Sequence, residues 1–264
     1  MATLCARDTR RLISCKMARS PVASCSVLPK PWASITVSGM DSMLKWIRGI
    51  GFAVIFGLTA PLAGAAPAQP QHAPVLLVLG DSLSAEYGIA RGTGWVALLQ
   101  QALEKDGFDY SVVNASISGD TTSDGMARLP ALLGRYRPAI TVIELGANDA
   151  LRGIPLSLTE RNLHDMASAA RRAQSRVMLI GMRIPPNYGP DYTERFFNMF
   201  GAIAKAQKLA YTPFLLEGIA GRRDLFQADQ MHPLAVAQPY LLRNVWPALR
   251  PLLGKPHPTK PLAR

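Results

Sequence analysis

The feature of this sequence that most limits its possible folds is an alternation of short apolar runs with segments of helical periodicity. Residues 74–80 form an uncharged run that ends in glycine, which is typical of a strand buried on both faces. Four similar segments predict further strands at 110–114, 139–145, 176–180 and 210–216. Apolar residues at helical spacing predict helices at 94–103, 121–136, 159–174, 191–208 and 235–253. This alternation predicts an α/β fold, a three-layer sandwich whose central, mostly parallel five-stranded sheet is flanked by helices.

Such a fold also predicts where a functional site would lie. The carboxyl ends of parallel strands meet at one edge of the sheet, and open α/β sheets form their sites just outside that edge. Two of the predicted strands are closed by glycines, Gly80 and Gly146. Ser82 and Asn148 follow these glycines directly, so we expect both side chains at the same edge.

The charge distribution argues against a nucleic-acid partner. The formal net charge is +11, but residues 1–42 carry six basic and two acidic residues, and Lys45 and Arg48 add two more positive charges. The rest of the chain therefore holds 11 − 6 = +5, with no long basic run, whereas nucleic-acid binders concentrate their charge on one face. All three cysteines also lie before residue 26, which leaves the remainder without a disulfide, thiol nucleophile or cysteine metal site.

The front of the chain is predicted to be an export signal. From Met43, a basic start is followed by an uncharged stretch over 49–62 and by small residues at 63–65, the pattern of a secretory signal peptide. We therefore predict a signal peptide at 43–65 and a periplasmic or secreted mature protein. An uncleaved membrane anchor is the alternative, although the apolar stretch is shorter than the roughly 20 residues of a membrane span.

The remaining boundaries follow from composition. Residues 1–42 lack clear periodicity and precede the signal peptide, so they are interpreted as a non-native or mis-called N-terminal extension. Residues 66–74 are predicted to be a flexible linker, 75–253 the folded domain and 254–264 a proline-rich tail.

Ser82 is the first candidate for chemistry, in the segment Gly80-Asp81-Ser82-Leu83-Ser84. A sharp turn after the strand would lift its hydroxyl above the sheet and place its backbone N–H at a helix start. Serine becomes a nucleophile when a neighbouring base takes its proton. A helix cap is the alternative, because serine and aspartate are both preferred there, and this segment alone leaves both interpretations open.

His232 is the strongest candidate for that base. His72 and His257 lie in proline-rich ends, and His164 lies among polar residues of a predicted helix. His232 follows Asp229 by three residues, a spacing at which the carboxylate can accept the imidazole N–H, fix its tautomer and stabilise the imidazolium. A surface turn that caps the last helix is the alternative.

Two further residues could stabilise negative charge on a substrate oxygen. Gly119 can offer an unhindered backbone N–H, and Asn148 can offer a side-chain amide, the donors that an oxyanion hole requires. Each of them alone is also an ordinary loop residue. Their significance depends on the order Ser82, Gly119, Asn148 and then Asp229 with His232, each beside the end of a predicted strand.

In this order of blocks the chain resembles the SGNH (GDSL) hydrolase superfamily, over nearly all of residues 75–253. Within the superfamily, the chain is most similar to the bacterial periplasmic thioesterase I, which is also called protease I or lysophospholipase L1, and to related arylesterases. Supporting segments include 113–120, 127–133, 148–153 and 186–189. Ala147 departs from the pattern, because close relatives usually have glycine there.

The resemblance implies a serine esterase that hydrolyses acyl esters and thioesters through an acyl-enzyme on Ser82. It implies His232 as general base and then acid, with Asp229 orienting it. The backbone N–H groups of Ser82 and Gly119 and the amide of Asn148 would form the oxyanion hole. No metal or organic cofactor is implied. The expected partners are small acyl substrates, lysophospholipids among them, for a monomeric enzyme without a stable membrane anchor after cleavage.

The resemblance also implies segments that contact the acyl chain, in the loops that follow Asn148 and Pro185. The corresponding substrate-binding residues are predicted to be Leu151, Ile154, Pro186 and Tyr188. Two alternatives are kept: a carbohydrate O-acetylesterase of the same superfamily, and a non-catalytic periplasmic binding module on the same fold.

Overall fold

The computed structural model describes residues 73–256, and its centre is a five-stranded sheet with strand order β2-β1-β3-β4-β5. Every neighbouring pair is parallel, which confirms the predicted fold class. The strands are β1 (Val75–Gly80), β2 (Ser111–Asn114), β3 (Ile140–Glu144), β4 (Arg176–Ile180) and β5 (Ala210–Thr212). The predicted signal peptide, the extension before it, and parts of the linker and tail lie outside the described residues.

Six α-helices within residues 73–256 cover both faces of the sheet. They are α1 (Trp95–Lys105), α2 (Thr122–Tyr136), α3 (Ala147–Leu151), α4 (Leu156–Arg172), α5 (Pro190–Gln207) and α6 (Gln238–Leu249). Single 3₁₀ turns are formed by Pro186–Tyr188, Arg223–Leu225, Ala235–Ala237 and Arg250–Leu252. Helices α1 and α6 pack together on one face, whereas α2, α4 and α5 form the layer on the other, which completes the three-layer sandwich.

The core lies between the sheet and these two helical layers. The central strands β1 and β3 are buried along almost their whole length, as expected for a parallel sheet covered on both faces. Trp95 is fully buried at the start of α1, and Phe196 and Phe200 of α5 meet edge to face with ring centroids 5.1 Å apart. None of the helices formed by residues 73–256 combines the length and apolar character needed to cross a membrane.

The helix predicted at 159–174 begins earlier than expected. Helix α4 starts at Leu156, after Pro155, whose fixed φ suits a helix start. Thr159 is therefore not a capping residue. It is buried inside the helix, and its hydroxyl donates to Asp149 at 3.2 Å.

Proline shortens two of the predicted elements. The strand predicted at 210–216 ends at Thr212, because Pro213 has no N–H to continue the sheet. The helix predicted at 235–253 is divided into a 3₁₀ turn, helix α6 and a second 3₁₀ turn that contains Pro251. Helix α3 was not predicted, and it holds Asn148 in its first turn.

Candidate active site

The predicted site residues lie on connections that leave the carboxyl edge of the sheet. Ser82 follows β1, Gly119 follows β2, Asn148 follows β3 and His232 follows β5. In a parallel sheet these connections emerge on one side, so residues separated by up to 150 positions can meet. The structure brings all four together. Ser82 does not start a helix as expected, because the chain after β1 forms successive turns before α1 begins at Trp95.

Glycine at position 80 allows the turn that presents Ser82. A Cβ atom at Gly80 would lie 2.7 Å from Oε2 of Glu144 and 2.8 Å from Oγ of Ser84, both closer than real contacts. The turn is then closed by the carbonyl of Asp81, which accepts hydrogen bonds from the backbone N–H groups of Ser84 at 3.2 Å and Ala85 at 2.9 Å. The absence of a side chain at this position therefore leaves room for the side chains of Glu144 and Ser84.

A chain of hydrogen bonds links Ser82 to His232 and Asp229. Oγ of Ser82 lies 2.9 Å from Nε2 of His232, and Nδ1 of the same ring lies 2.7 Å from Oδ2 of Asp229. Oγ can donate to Nε2 when Nδ1 carries the ring proton and donates to the carboxylate. This arrangement can transfer a proton from the serine to the imidazole while the carboxylate stabilises the imidazolium.

The carboxylate of Asp229 is held in its charged form. Its Oδ1 accepts hydrogen bonds from the backbone N–H groups of His232 at 3.0 Å and Met231 at 2.9 Å. Desolvation raises the pKa of Asp229, but these two bonds and the hydrogen bond and charge of the His232 ring together lower that pKa to about 2. Asp229 therefore stays ionised at every pH at which the protein would be assayed.

The loop that carries His232 is fastened to the loop that follows Ser82. Nε2 of Gln227 donates to the carbonyl of Tyr87 at 2.8 Å, and the backbone N–H of Gln227 donates to the carbonyl of His232 at 2.8 Å. The ring of Tyr87 also contacts the imidazole, with centroids 4.4 Å apart. These contacts limit the movement of the imidazole relative to Ser82.

The N–H groups of the three predicted oxyanion-hole residues differ in whether they already have acceptors. Within the described residues, the backbone N–H groups of Ser82 and Gly119 donate to no other group. Gly119 has φ +86°, a conformation that side chains rarely adopt. Nδ2 of Asn148 donates to the carbonyl of Asp120 at 3.0 Å and to Oδ2 of Asp81 at 3.2 Å, while Arg152 donates to the carbonyl of Gly119 at 2.7 Å.

Sequence reasoning missed the residue that joins these segments, Asp149. It is fully buried beside Asn148, and its Oδ2 accepts a hydrogen bond from the backbone N–H of Thr122 at 2.8 Å. Its Oδ1 accepts hydrogen bonds from the hydroxyls of Thr122 and Thr159. Asp149 thereby fixes the starts of α2 and α3 to the body of α4, and with them the positions of Gly119 and Asn148.

A second missed feature is a pair of buried carboxyl groups below the site. Burial raises the pKa of Asp81 to about 6, although the N–H of Leu83 lowers it, and burial next to Asp81 raises the pKa of Glu144 well above its usual range. Oε2 of Glu144 accepts from the hydroxyl of Ser84 at 2.7 Å, and that hydroxyl accepts from Nε1 of Trp95 at 3.2 Å. Glu144 ends an otherwise uncharged buried strand, which was the available sequence signal.

We expect Glu144→Gln to weaken the pH dependence of stability. A carboxyl whose pKa is raised on folding contributes stability that is complete below its unfolded pKa and is lost as pH rises through its folded pKa. For Asp81 that window runs from 3.8 to about 6, and for Glu144 it begins at 4.5. The loss in unfolding free energy between pH 4.5 and 7.5, measured by urea denaturation, should therefore shrink by at least about 1 kcal/mol.

The matched control for this stability measurement is Glu217→Gln, because the side chain of Glu217 is exposed. It should leave the difference between the two pH values unchanged. An equal pH dependence in wild type and Glu144→Gln would show that folding does not raise the pKa of Glu144.

An apolar cavity of about 450 Å³ opens beside the hydroxyl of Ser82. Its lining combines residues from three connections at the carboxyl edge: Ala147, Asn148 and Leu151 after β3, Met182 to Pro186 after β4, and Phe214, Leu216, Ala220, Phe226 and Gln230 to His232 after β5. Ser82, Asp81 and Leu83 form its floor. A cavity of this size and character can hold a small ligand with an apolar chain.

The structure divides the four predicted substrate-binding residues into two pairs. Leu151 and Pro186 line the cavity, whereas Ile154 and Tyr188 are not among its lining residues. Ile154 is half-buried behind α3, and Tyr188 is exposed at the end of the 3₁₀ turn that begins with Pro186. Within residues 73–256, no group of three or more His, Cys, Asp or Glu side chains is arranged as a metal site.

Comparison with known proteins places this site in a known family. The model of the GDSL-like Lipase/Acylhydrolase family matches residues 78–238, which include both Ser82 and His232. Esterase TesA of Pseudomonas aeruginosa is 54% identical over 185 residues, covering 70% of this chain and 92% of that protein. Thioesterase 1/protease 1/lysophospholipase L1 of Escherichia coli K12 is 39% identical over 182 residues, covering 69% of this chain and 86% of that protein.

A solved structure shows the same relationship. The psychrotrophic esterase EstA from Pseudoalteromonas sp., in a structure inhibited by monoethylphosphonate, superposes with a TM-score of 0.65 at 39% identity. The match covers 69% of this chain and 99% of that one. These similarities extend over the domain that holds the site, and the chain belongs to the GDSL-like lipase/acylhydrolase family, the SGNH hydrolases.

Proposed function

We propose that this serine hydrolase cleaves acyl esters and thioesters through a covalent acyl-enzyme on Ser82. The observation that supports it most directly is the continuous hydrogen-bond chain from Ser82 through His232 to Asp229. Oγ of Ser82 attacks the carbonyl carbon as its proton passes to Nε2 of His232. The imidazolium then protonates the leaving alcohol or thiol, and the acyl group remains on the serine.

The second half of the reaction repeats the same proton transfers with water. A water molecule gives its proton to Nε2 of His232 and attacks the acyl-enzyme, and His232 returns the proton to Ser82 as the acid leaves. Each step passes through an oxyanion, for which the N–H groups of Ser82, Gly119 and Asn148 are the proposed donors. One such donor typically contributes about 10²- to 10³-fold to kcat. All these groups belong to one chain, which is consistent with a monomeric enzyme.

The cavity supports an acyl chain as the group that is recognised. Its walls are mostly apolar, and residues such as Met182, Phe214 and Phe226 surround the space that an acyl chain on Ser82 would enter. A carbohydrate would favour a mainly polar lining, whereas most of the residues around this cavity are apolar. The related proteins are named esterase and thioesterase 1/lysophospholipase L1, and small esters, thioesters and lysophospholipids are accordingly the proposed substrates.

A chain-length series tests this substrate class. We expect kcat/KM for p-nitrophenyl esters to rise from acetate to medium chain lengths and to decline when the acyl chain exceeds the roughly 450 Å³ cavity. Rates with palmitoyl-CoA and with palmitoyl lysophospholipid compare the hydrolysis of a thioester with that of an oxygen ester. The rate with acetyl-xylan tests carbohydrate deacetylation. A preference for acetyl-xylan over every longer p-nitrophenyl ester would contradict the proposal.

We also propose that the enzyme acts in the periplasm or outside the cell, after cleavage of residues 43–65. The support is the basic, apolar and small-residue pattern of that segment. N-terminal sequencing of the protein isolated from its native host should find a mature end near Ala66. An intact Met1 on the active enzyme would contradict export through this segment.

A further inference from the structure

The exposed apolar side chains of this domain are concentrated at one edge. The described residues expose five large apolar side chains, by between 40% and 62% of their surface. We call this set the carboxyl-edge rim: Tyr87, Ile117, Tyr188, Met231 and Val236. Each lies on a connection that leads from a strand to the following helix, and none lies on a connection from a helix to a strand. Parallel topology therefore places all five on the side of the sheet where the cavity opens.

Local contacts place rim residues on several sides of the cavity mouth. Tyr87 contacts the ring of His232, and Met231 lines the cavity itself. Ile117 lies at the end of β1, where its backbone N–H donates to the carbonyl of Gly80 at 3.1 Å. Tyr188 follows Pro186, which also lines the cavity. Rim residues therefore lie beside His232, on the connection that holds Gly119 and on the connection after β4.

The charges exposed among these groups are mainly unpaired cations. Arg91, Arg152, Arg183 and Arg223 are exposed on the same connections, and none of them forms a salt bridge within residues 73–256. The exposed carboxylates on these connections are mostly engaged. Asp224 pairs with Arg222 and Asp229 pairs with His232, which leaves Glu217, while the half-buried Glu86 accepts from the N–H groups of Gly92 and Gly94.

We propose that the carboxyl-edge rim docks on the surface of phospholipid aggregates, so that a lipid acyl chain passes from the aggregate directly into the cavity. Exposed apolar side chains that are gathered at one edge of a domain, rather than scattered singly, are typical of an interaction surface. A lipid surface suits it because the arginines can keep their charge at the phosphate level while apolar side chains enter the layer below. The role in turnover rests on the acyl-ester function proposed above, whereas the binding itself does not.

Vesicle flotation of the Ser82→Ala protein tests the docking without turnover. The Ser82→Ala protein with an unchanged rim should bind measurably to phosphatidylcholine vesicles. It should bind more tightly to vesicles that also contain phosphatidylglycerol. Ile117→Ser with Val236→Ser, introduced together, should weaken partitioning about tenfold, because two partly exposed apolar side chains are removed. Neither residue belongs to the proposed catalytic groups. The same double change, made in the enzyme that keeps Ser82, should therefore leave the rate of hydrolysis of water-soluble p-nitrophenyl acetate near that of the wild type.

A charge-matched pair of variants separates docking from general electrostatic attraction. Arg91 lies on the carboxyl edge, whereas Lys208 lies at the opposite edge, just before β5. Arg91→Ser should weaken binding to vesicles that contain phosphatidylglycerol, and Lys208→Ser should not. The proposal is overturned if the protein fails to bind either kind of vesicle, if the double variant binds as tightly as its parent, or if both charge variants lose affinity equally. Loss of the esterase function would be seen separately, in the p-nitrophenyl acetate assay.

Discussion

Replacement of Ser82 with alanine is expected to lower kcat for p-nitrophenyl butyrate by about 10⁵- to 10⁶-fold, close to the background rate. The reason is that Ser82 is the proposed nucleophile, and His232 and Asp229 act only through it, so removing the hydroxyl removes the contribution of the whole set. Steady-state kinetics and labelling by a fluorophosphonate measure the effect, and labelling should disappear completely. The fold should be retained, because Ser82 is not part of the buried core.

The matched control is Ser157→Ala, in the first turn of α4, where the serine side chain is exposed and is not among the residues that line the cavity. It should leave both kcat and fluorophosphonate labelling unchanged. If Ser82→Ala retained more than about one hundredth of wild-type activity, or if a fluorophosphonate still labelled it, another residue would have to be the nucleophile.

The arrangement of the fold could be predicted from the sequence because its signals are local. The buried runs that become β1 and β3 are uncharged almost to their ends and are followed by glycine, and both are buried throughout their central residues. Since the strands are parallel, the residues after each run were expected to meet at one edge. The structure brings Ser82, Gly119, Asn148 and His232 to that edge.

The walls of the cavity could not be predicted in the same way. Met182, Phe214 and Phe226 have the spacing and composition of ordinary core residues, and nothing in their neighbouring sequence separates a side chain that packs against a helix from one that faces an opening. Their position depends on how the connections after β4 and β5 cross the sheet edge. That path is set by tertiary contacts, such as the hydrogen bond from the N–H of Leu215 to the carbonyl of Gly181 at 3.2 Å.

Buried polar groups explain the remaining differences between the predictions from sequence and the structure. The third helix was predicted to begin at Thr159, but Thr159 lies inside α4, where its hydroxyl donates to the buried carboxylate of Asp149. Asp81 was considered only as part of the turn that presents Ser82. Its carboxylate also accepts hydrogen bonds from the side-chain amide of Asn148 and from the backbone N–H of Leu83. Partners of this kind lie up to 67 positions apart, and a single sequence gives no signal for pairing at that distance.

Replacement of Asp229 with asparagine is expected to have the second-largest effect, a fall in kcat of about 10⁴-fold near neutral pH, as found for the equivalent change in serine protease triads. The carboxylate accepts the proton of Nδ1 of His232 at 2.7 Å. An amide that donates at this position favours the wrong tautomer of the imidazole and leaves the imidazolium without a countercharge. Steady-state kinetics and the rate of fluorophosphonate labelling should fall together, because both depend on activation of Ser82.

The pH dependence separates this orienting role from a role of Asp229 as the group that titrates. Because its pKa is lowered to about 2, its stabilising contribution is present above pH 3.8 and is lost only as pH falls through about 2. The acid limb of the wild-type kcat/KM profile should therefore not come from Asp229, and Asp229→Asn should lower the whole profile without removing that limb. The control Asp224→Asn removes an exposed carboxylate from the same connection and should change neither rate nor profile. Loss of less than tenfold in kcat for Asp229→Asn, with the fold intact by circular dichroism, would show that His232 is oriented by its other contacts, with Tyr87 foremost among them.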